Sequence, residues 1–282
     1  MAICVIINTF ARSFYMQKRF LLFILLLLVL GFGSCKFNRI LKSSDYELKF
    51  TKAIEYYNKG NYTQAQTLLE ELIPVFKGTN KAEEVYYYYA YTHYYIGDYS
   101  LAGFHFRTFS RAFHNSVHAE ECAYMNAYCY FLSSPRYSLD QSDTKNAIQE
   151  MQEFVNEYPE SKKIDTCNIL IDKLRGKLER KAYESAKGYY FRELWKEAMY
   201  AFTNFAKDFP ESSHLEEVEF LVVRSSFLLA KNSIESKKAE RIEKCIDNYL
   251  KFVDLHPQSP YLKEAEGIYL EVQKLKNQPV NQ

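Results

Sequence analysis

The sequence predicts an all-α fold, an α-solenoid of about five helix-hairpin repeats, and three observations carry that expectation. The set Ala147, Met151, Phe154, Pro159, Ser161 returns as Ala198, Phe202, Phe205, Pro210, Ser212 and again as Cys245, Tyr249, Phe252, Pro257, Ser259. Gly60-Asn61-Tyr62 ahead of Ala65 returns 37 residues later as Gly97-Asp98-Tyr99 ahead of Ala102. Ala82-Glu83-Glu84 returns at the same spacing as Ala119-Glu120-Glu121. Recurrence of one design, with longer units later in the chain, is what a chain shows when each unit buries its apolar face only against its neighbours.

The first element is a secretory signal over residues 1–34. Lys18-Arg19 precedes the apolar run Phe20 to Leu30 and then Gly31-Phe32-Gly33-Ser34-Cys35, the basic, apolar and small parts of such a signal. The apolar run falls short of the roughly 20 residues a membrane-spanning helix needs. Met1 to Tyr15 is an apolar prefix poor in charge, so translation is expected to start at Met16, directly before the basic pair. Gly33-Ser34-Cys35 resembles the end of a bacterial lipobox, with Phe32 where leucine is usual. That resemblance implies that Cys35 is the lipidated first residue of the mature protein. Lys36-Phe37-Asn38-Arg39 holds no acidic residue, so attachment facing the periplasm is expected.

Units are expected to begin near Asp45, Ala82, Ala119, Ile164 and Leu215: repeats 1–3 over 35–162, repeats 4–5 with a final helix over 163–276, and a frayed tail over 277–282. In the early units a glycine supplies the positive φ that closes the first helix. Ala53, Ala90 and Ala127 supply the small side chains where paired helices cross. In the later units the i, i+4, i+7 spacing puts the small and aromatic residues on one helical stripe. Proline then ends the helix by pushing Tyr158, Phe209 and His256 out of the α region. Serine restarts the next helix: Ser213 with Glu216 reads as a capping box, and Ser259 is followed by Pro260 at the favoured first helical position. The pattern resembles the tetratricopeptide repeat, whose period is about 34 residues. Ala147 follows Ala127 by 20 positions where the template offset is 12, so eight residues are inserted there.

The formal net charge of +1 offers no strong field for nucleic acid. Cys122 and Cys129 are seven apart on one expected helix, about 10 Å along its axis, too far to pair with each other. With Cys167 and Cys245 they read as small apolar residues at helix crossings. His114 and His118 flank a loop, and no zinc spacing, phosphate-binding glycine loop or Gly-x-Ser-x-Gly elbow occurs. No metal, cofactor or enzymatic activity is expected.

Tyrosine is the unusual component. Tyr86-Tyr87-Tyr88-Tyr89, Tyr91, Tyr94 and Tyr95 crowd one helix, more than a core stripe needs. Counted from the turns, Tyr57, Tyr87, Tyr91, Tyr94, Tyr124 and Tyr128 stand at positions that resemble the groove-lining ones of the tetratricopeptide repeat, and Tyr86 and Tyr89 on its helix-packing face. A tyrosine-lined groove suits an extended peptide bearing aromatic residues, because each ring offers apolar area and a hydroxyl for backbone groups.

The eight-residue insertion brings in Pro135, Arg136, Tyr137, Leu139, Asp140 and Gln141. This loop, the Ala147-to-Ser161 motif after it, the lipobox and the five-repeat length together resemble the BamD family, in particular its Bacteroidetes-type members. The resemblance implies a lipoprotein scaffold on the periplasmic face of the outer membrane, part of the β-barrel assembly machinery. N-terminal repeats would receive the C-terminal, aromatic-ended signals of unfolded outer-membrane barrel proteins, and C-terminal repeats would dock the POTRA domains of BamA. Docking residues do not transfer, because the stretch Glu193 to Phe209 lacks the basic position the family suggests and has Ala201 nearby. Two other readings share the repeats: a tetratricopeptide lipoprotein adaptor in cell-envelope organisation, and a glycan-capturing outer-membrane lipoprotein.

Overall fold

The computed structural model describes residues 36–277, which places the signal, Cys35 and the end of the tail outside the described residues. The described residues are helical throughout, without strands. A short helix over 36–41 (α1) precedes α2 (Tyr46–Asn58), α3 (Tyr62–Phe76), α4 (Ala82–Ile96), α5 (Tyr99–Ala112) and α6 (Ala119–Ser133). Then come α7 (Ser142–Glu157), α8 (Ile164–Phe191), α9 (Trp195–Asp208), α10 (Leu215–Lys231), α11 (Glu235–Leu255) and α12 (Leu262–Lys276). Helices α2 and α3, α4 and α5, α8 and α9, and α10 and α11 pair into tetratricopeptide-like hairpins, and α12 packs on α11.

The chain divides into two compact units. The first runs to Ser133 and takes in Glu153–Ser161; the second holds Ser134–Gln152 and continues from Lys162. In the first unit α2 to α6 pack each on the next, and in the second α8 to α12 do the same.

Each core follows the small-and-aromatic pattern. In the first unit Ala53, Ala90, Ala102 and Ala127 are wholly buried, with Phe106 and Phe109 beside them. In the second, Ala186, Ala198, Phe202 and Phe205 are buried to the same degree. Burying one such phenylalanine is worth about 1.5–3 kcal/mol. Methyl side chains let two backbones approach, and the rings fill the space beside the crossing.

The hairpin turns close as the glycine pattern requires. Gly97 sits at φ 91, with its N–H bonded to the Tyr94 carbonyl and the Asp98 N–H bonded back to His93, the paired bonds of a Schellman motif. Gly60 at φ 75 makes the same turn. The third instance is Glu193, at φ 59, the one non-glycine residue in the left-handed region among the described residues.

Helix ends before proline behave as expected: Phe209 and His256 leave the α region at ψ 62 and 63. The restarts differ from expectation. Ser213 and Glu216 form no capping box, because α10 starts one residue too late, with His214 as its N-cap and no side-chain cap. Ser212 acts instead: its carbonyl accepts from Leu215 N–H at 3.0 Å and its Oγ from His214 N–H at 3.0 Å, a tight turn feeding the helix. Likewise Pro260 precedes the helix in a turn whose ends are Ser259 O and Leu262 N, 3.2 Å apart, a position where its fixed φ is favourable.

The same serines also clasp neighbouring hairpins. Ser116 Oγ donates to Glu83 at 2.5 Å, Ser161 Oγ to Glu120 at 2.6 Å and Ser212 Oγ to Glu179 at 2.5 Å. Two of these span 33 residues and the middle one spans 41, so the register survives the eight inserted residues.

Candidate peptide-binding face

The six tyrosines singled out by position all lie in the first unit, on α2, α4 and α6. Tyr57, Tyr87, Tyr91 and Tyr94 share one connected set of rings. Tyr57 meets Tyr88 edge-on at 4.9 Å and Tyr95 at 5.8 Å; Tyr95 stacks on Tyr62 at 4.5 Å and on Tyr91 at 6.0 Å. Tyr91 continues to Tyr87 at 4.9 Å, and Tyr94 meets Tyr95 at 5.3 Å. Tyr124 and Tyr128 form a separate stack at 5.8 Å, with Tyr124 against Phe154.

Their exposure is unequal. Tyr57, Tyr87, Tyr94, Tyr124 and Tyr128 are half-buried, whereas Tyr91 retains only 7% of its surface. Tyr91 therefore supports the face from beneath, and Tyr95, at 48% exposure, is the more open ring. Tyr86 and Tyr89 turn toward α5, each packing on His105, as their expected helix-packing role requires.

Glu121 of α6 organises the hydroxyls. Tyr87 donates to its Oε2 at 3.2 Å and Tyr91 to its Oε1 at 2.5 Å, and the His118 ring lies against Tyr87 at 4.4 Å with Nδ1 3.6 Å from the carboxylate. Burial first, and then this carboxylate, push the Tyr87 and Tyr91 phenols far above the ordinary tyrosine range, so both remain neutral donors. The positional count does not place Tyr88, Tyr95, His118 or Glu121 on this face. His118 and Glu121 are 31 and 34 residues from Tyr87, and only the hairpin stack joins them.

The inserted loop is built rather than slack, and it belongs to the second unit. Buried Gln141 donates through Nε2 to the carbonyls of Arg136, Leu139 and Asp140 at 2.9, 3.0 and 3.2 Å and accepts from Thr144 at 2.8 Å. Lys177 holds Ser134 Oγ at 2.6 Å, Lys181 holds Leu139 O at 2.5 Å, and the Arg180 guanidinium lies 4.2 Å over the Tyr137 ring. Asp140 accepts from Ser142 N–H at 2.9 Å, and its bonds to Ser142 hold the carboxyl below its usual range. Pro135 is half-buried, while Leu139 is 49% exposed.

Cys122, Cys129, Cys167 and Cys245 are free thiols in the core, and burial pushes Cys129 up to about 12, which leaves it a packing residue rather than a nucleophile. Among the described residues no three His, Cys, Asp or Glu side chains are grouped to hold a metal, and no helix is long and apolar enough to cross a membrane.

No curated protein matches the chain. Among solved structures, the TPR2AB-domain:pHSP90 complex of yeast Sti1 aligns over 82% of this chain and 99% of that one, at 13% identity and a TM-score of 0.36. A family model described as outer membrane lipoprotein, YfiO, matches residues 43–212, from just ahead of α2 to the end of α9 and the turn beyond it. That match covers more than half of the sequence, and the chain belongs to the YfiO family of outer membrane lipoproteins.

Proposed function

We propose that this protein is a lipid-anchored scaffold of the outer-membrane β-barrel assembly machinery, of the BamD kind, held at the periplasmic face through Cys35. Its first unit receives the C-terminal, aromatic-ended signal of an unfolded barrel protein, and its later repeats dock the POTRA domains of BamA. The observation that carries this reading is the tyrosine face of α2, α4 and α6, whose outer rings stay half-open while Glu121 fixes the hydroxyls beneath. Such a face can seat an extended chain by ring contacts and phenol-to-backbone bonds, and the work is done by binding alone. Unfolded barrel strands expose pairing edges, so holding one end beside the insertion machine limits misassociation. An anchor in the membrane that holds BamA raises the effective concentration of both partners. The match to an outer membrane lipoprotein family supports this placement. The family loop 133–141, including Pro135 to Gln141, is the feature that favours it over an adaptor of another kind.

Two measurements test the proposal. Detergent-solubilised membranes should yield BamA together with this chain; recovery of a TonB-type transporter instead would move the protein to glycan capture. Changing Tyr87 to Ala should weaken binding of a barrel C-terminal peptide about tenfold, the scale of one aromatic anchor, with helicity unchanged. Equal affinity in the variant removes the tyrosine face as the receptor.

A further inference from the structure

The described chain begins on a basic surface. Helix α1 is laid onto the first hairpin by Phe37, Ile40 and Leu41, which pack on its core, with Phe37 edge-on to Tyr56 at 5.6 Å. Beside that contact a cavity of about 340 Å³ is lined by Lys36, Lys52 and Lys59 against a single carboxylate, Glu55. Lys52 bonds Glu55 at 2.8 Å, and Lys59 and Lys36 reinforce it, so Glu55 stays ionised below the usual carboxylate range and the cavity keeps a surplus of positive charge. Arg39 and Lys42 are exposed on the same short segment and no acidic residue lies between Lys36 and Ser44.

We infer that this cavity is a binding site for the phosphate of an anionic phospholipid headgroup, seating the first hairpin on the bilayer surface. The inference rests on the reading of Cys35 as lipidated, since Lys36 is the next residue and the cavity it lines would then stand beside the headgroups. Cationic side chains near an anionic bilayer surface contribute about 1 kcal/mol each. Acyl chains fix the chain to the membrane but leave it free to swivel; the lysines would set which face of the first hairpin looks down.

The test uses the full-length protein purified from membranes and mixed with vesicles of phosphatidylcholine alone or with added phosphatidylglycerol. Flotation reports attachment, and hydrogen exchange of the backbone amides of 36–59 reports the site. We expect flotation with both vesicles and about tenfold stronger protection of 36–59 with phosphatidylglycerol, abolished by salt at about 0.5 M. The Lys36→Gln, Lys52→Gln, Lys59→Gln variant should lose that protection and the corresponding arginine variant should keep it. Flotation with equal protection in both lipids overturns the headgroup site and leaves the anchor standing. Flotation with phosphatidylglycerol vesicles only removes the anchor and supports the site; flotation with neither overturns both.

Discussion

The first unit and the second carry the same constellation 96 residues apart, and they differ at one position within it. Tyr87, His118 and Glu121 recur as Tyr183, His214 and Glu217: the rings lie 4.4 and 4.2 Å apart, and the phenols reach the carboxylates at 3.2 and 2.7 Å. The Ser116–Glu83 clasp recurs as Ser212–Glu179. Where the first unit has buried Tyr91, the second has Lys187, 2.9 Å from Tyr183 Oη and 3.5 Å from Glu217. One carboxylate is thus bonded by two phenols, the other by one phenol and an ammonium group. Helix spacing sets where rings and carboxylates stand, and a single side chain then decides whether the site accepts further donors. That difference favours the first unit for the receptor role proposed above.

Exchanging residues across the offset sharpens the comparison. The largest effect is expected at Gly103, whose counterpart is the buried Met199. A Cβ at Gly103 would meet Cys129 Cβ at 3.3 Å, so α5 and α6 approach more closely than their counterparts can. Gly103→Met should therefore cost about 2–3 kcal/mol in denaturant unfolding; an unchanged midpoint would show that this crossing is slack.

Acid should separate the units next. His93 and His105 stack at 4.9 Å in the first unit, where the second has Tyr189 and Ala201. Burial depresses both imidazoles, His105 to about 4, with His93 adding to the effect. Between a free-histidine value of about 6.5 and that level the unfolded chain binds more protons. Stability contributed by the neutral pair is therefore complete above the upper value and drains away as pH falls toward the lower one, by about 1–2 kcal/mol. Hydrogen exchange should quicken in α4 and α5 over that window while α8 and α9 hold, and His105→Gln should flatten the response.

The smallest effect has the opposite sign. Glu193 occupies the left-handed position that Gly97 fills in the first unit. Glu193→Gly should stabilise the chain by about 1 kcal/mol, the steric cost of a side chain there, read as a raised unfolding midpoint. A loss would mean that the Glu193 side chain holds the turn in some other way.

Much of the fold was legible in the residues. Glycine turns, alanines at crossings and prolines after Phe209 and His256 act locally, and local chemistry is written in consecutive letters. The capping serine was misread by one position because Ser212 and Ser213 are adjacent and only the helix start distinguishes them. Counting from the turns picks out six tyrosines but says nothing of depth: Tyr91 and Tyr95 differ by one helical turn, and only packing buries one and exposes the other. The 96-residue offset stayed hidden because glycine gives way to glutamate, aspartate to leucine and tyrosine to lysine at the most conspicuous positions. The first two are turn positions and the third, Tyr91, is buried in the first unit, so the chemistry changes at all three while the stack does not.

The serine clasp that holds across 41 residues as well as 33 makes the tip between α6 and α7 a free parameter of the array. Extra chain can be spooled out there without unzipping the neighbouring hairpins, so this corner is where a lineage can acquire a new adhesive surface in one step.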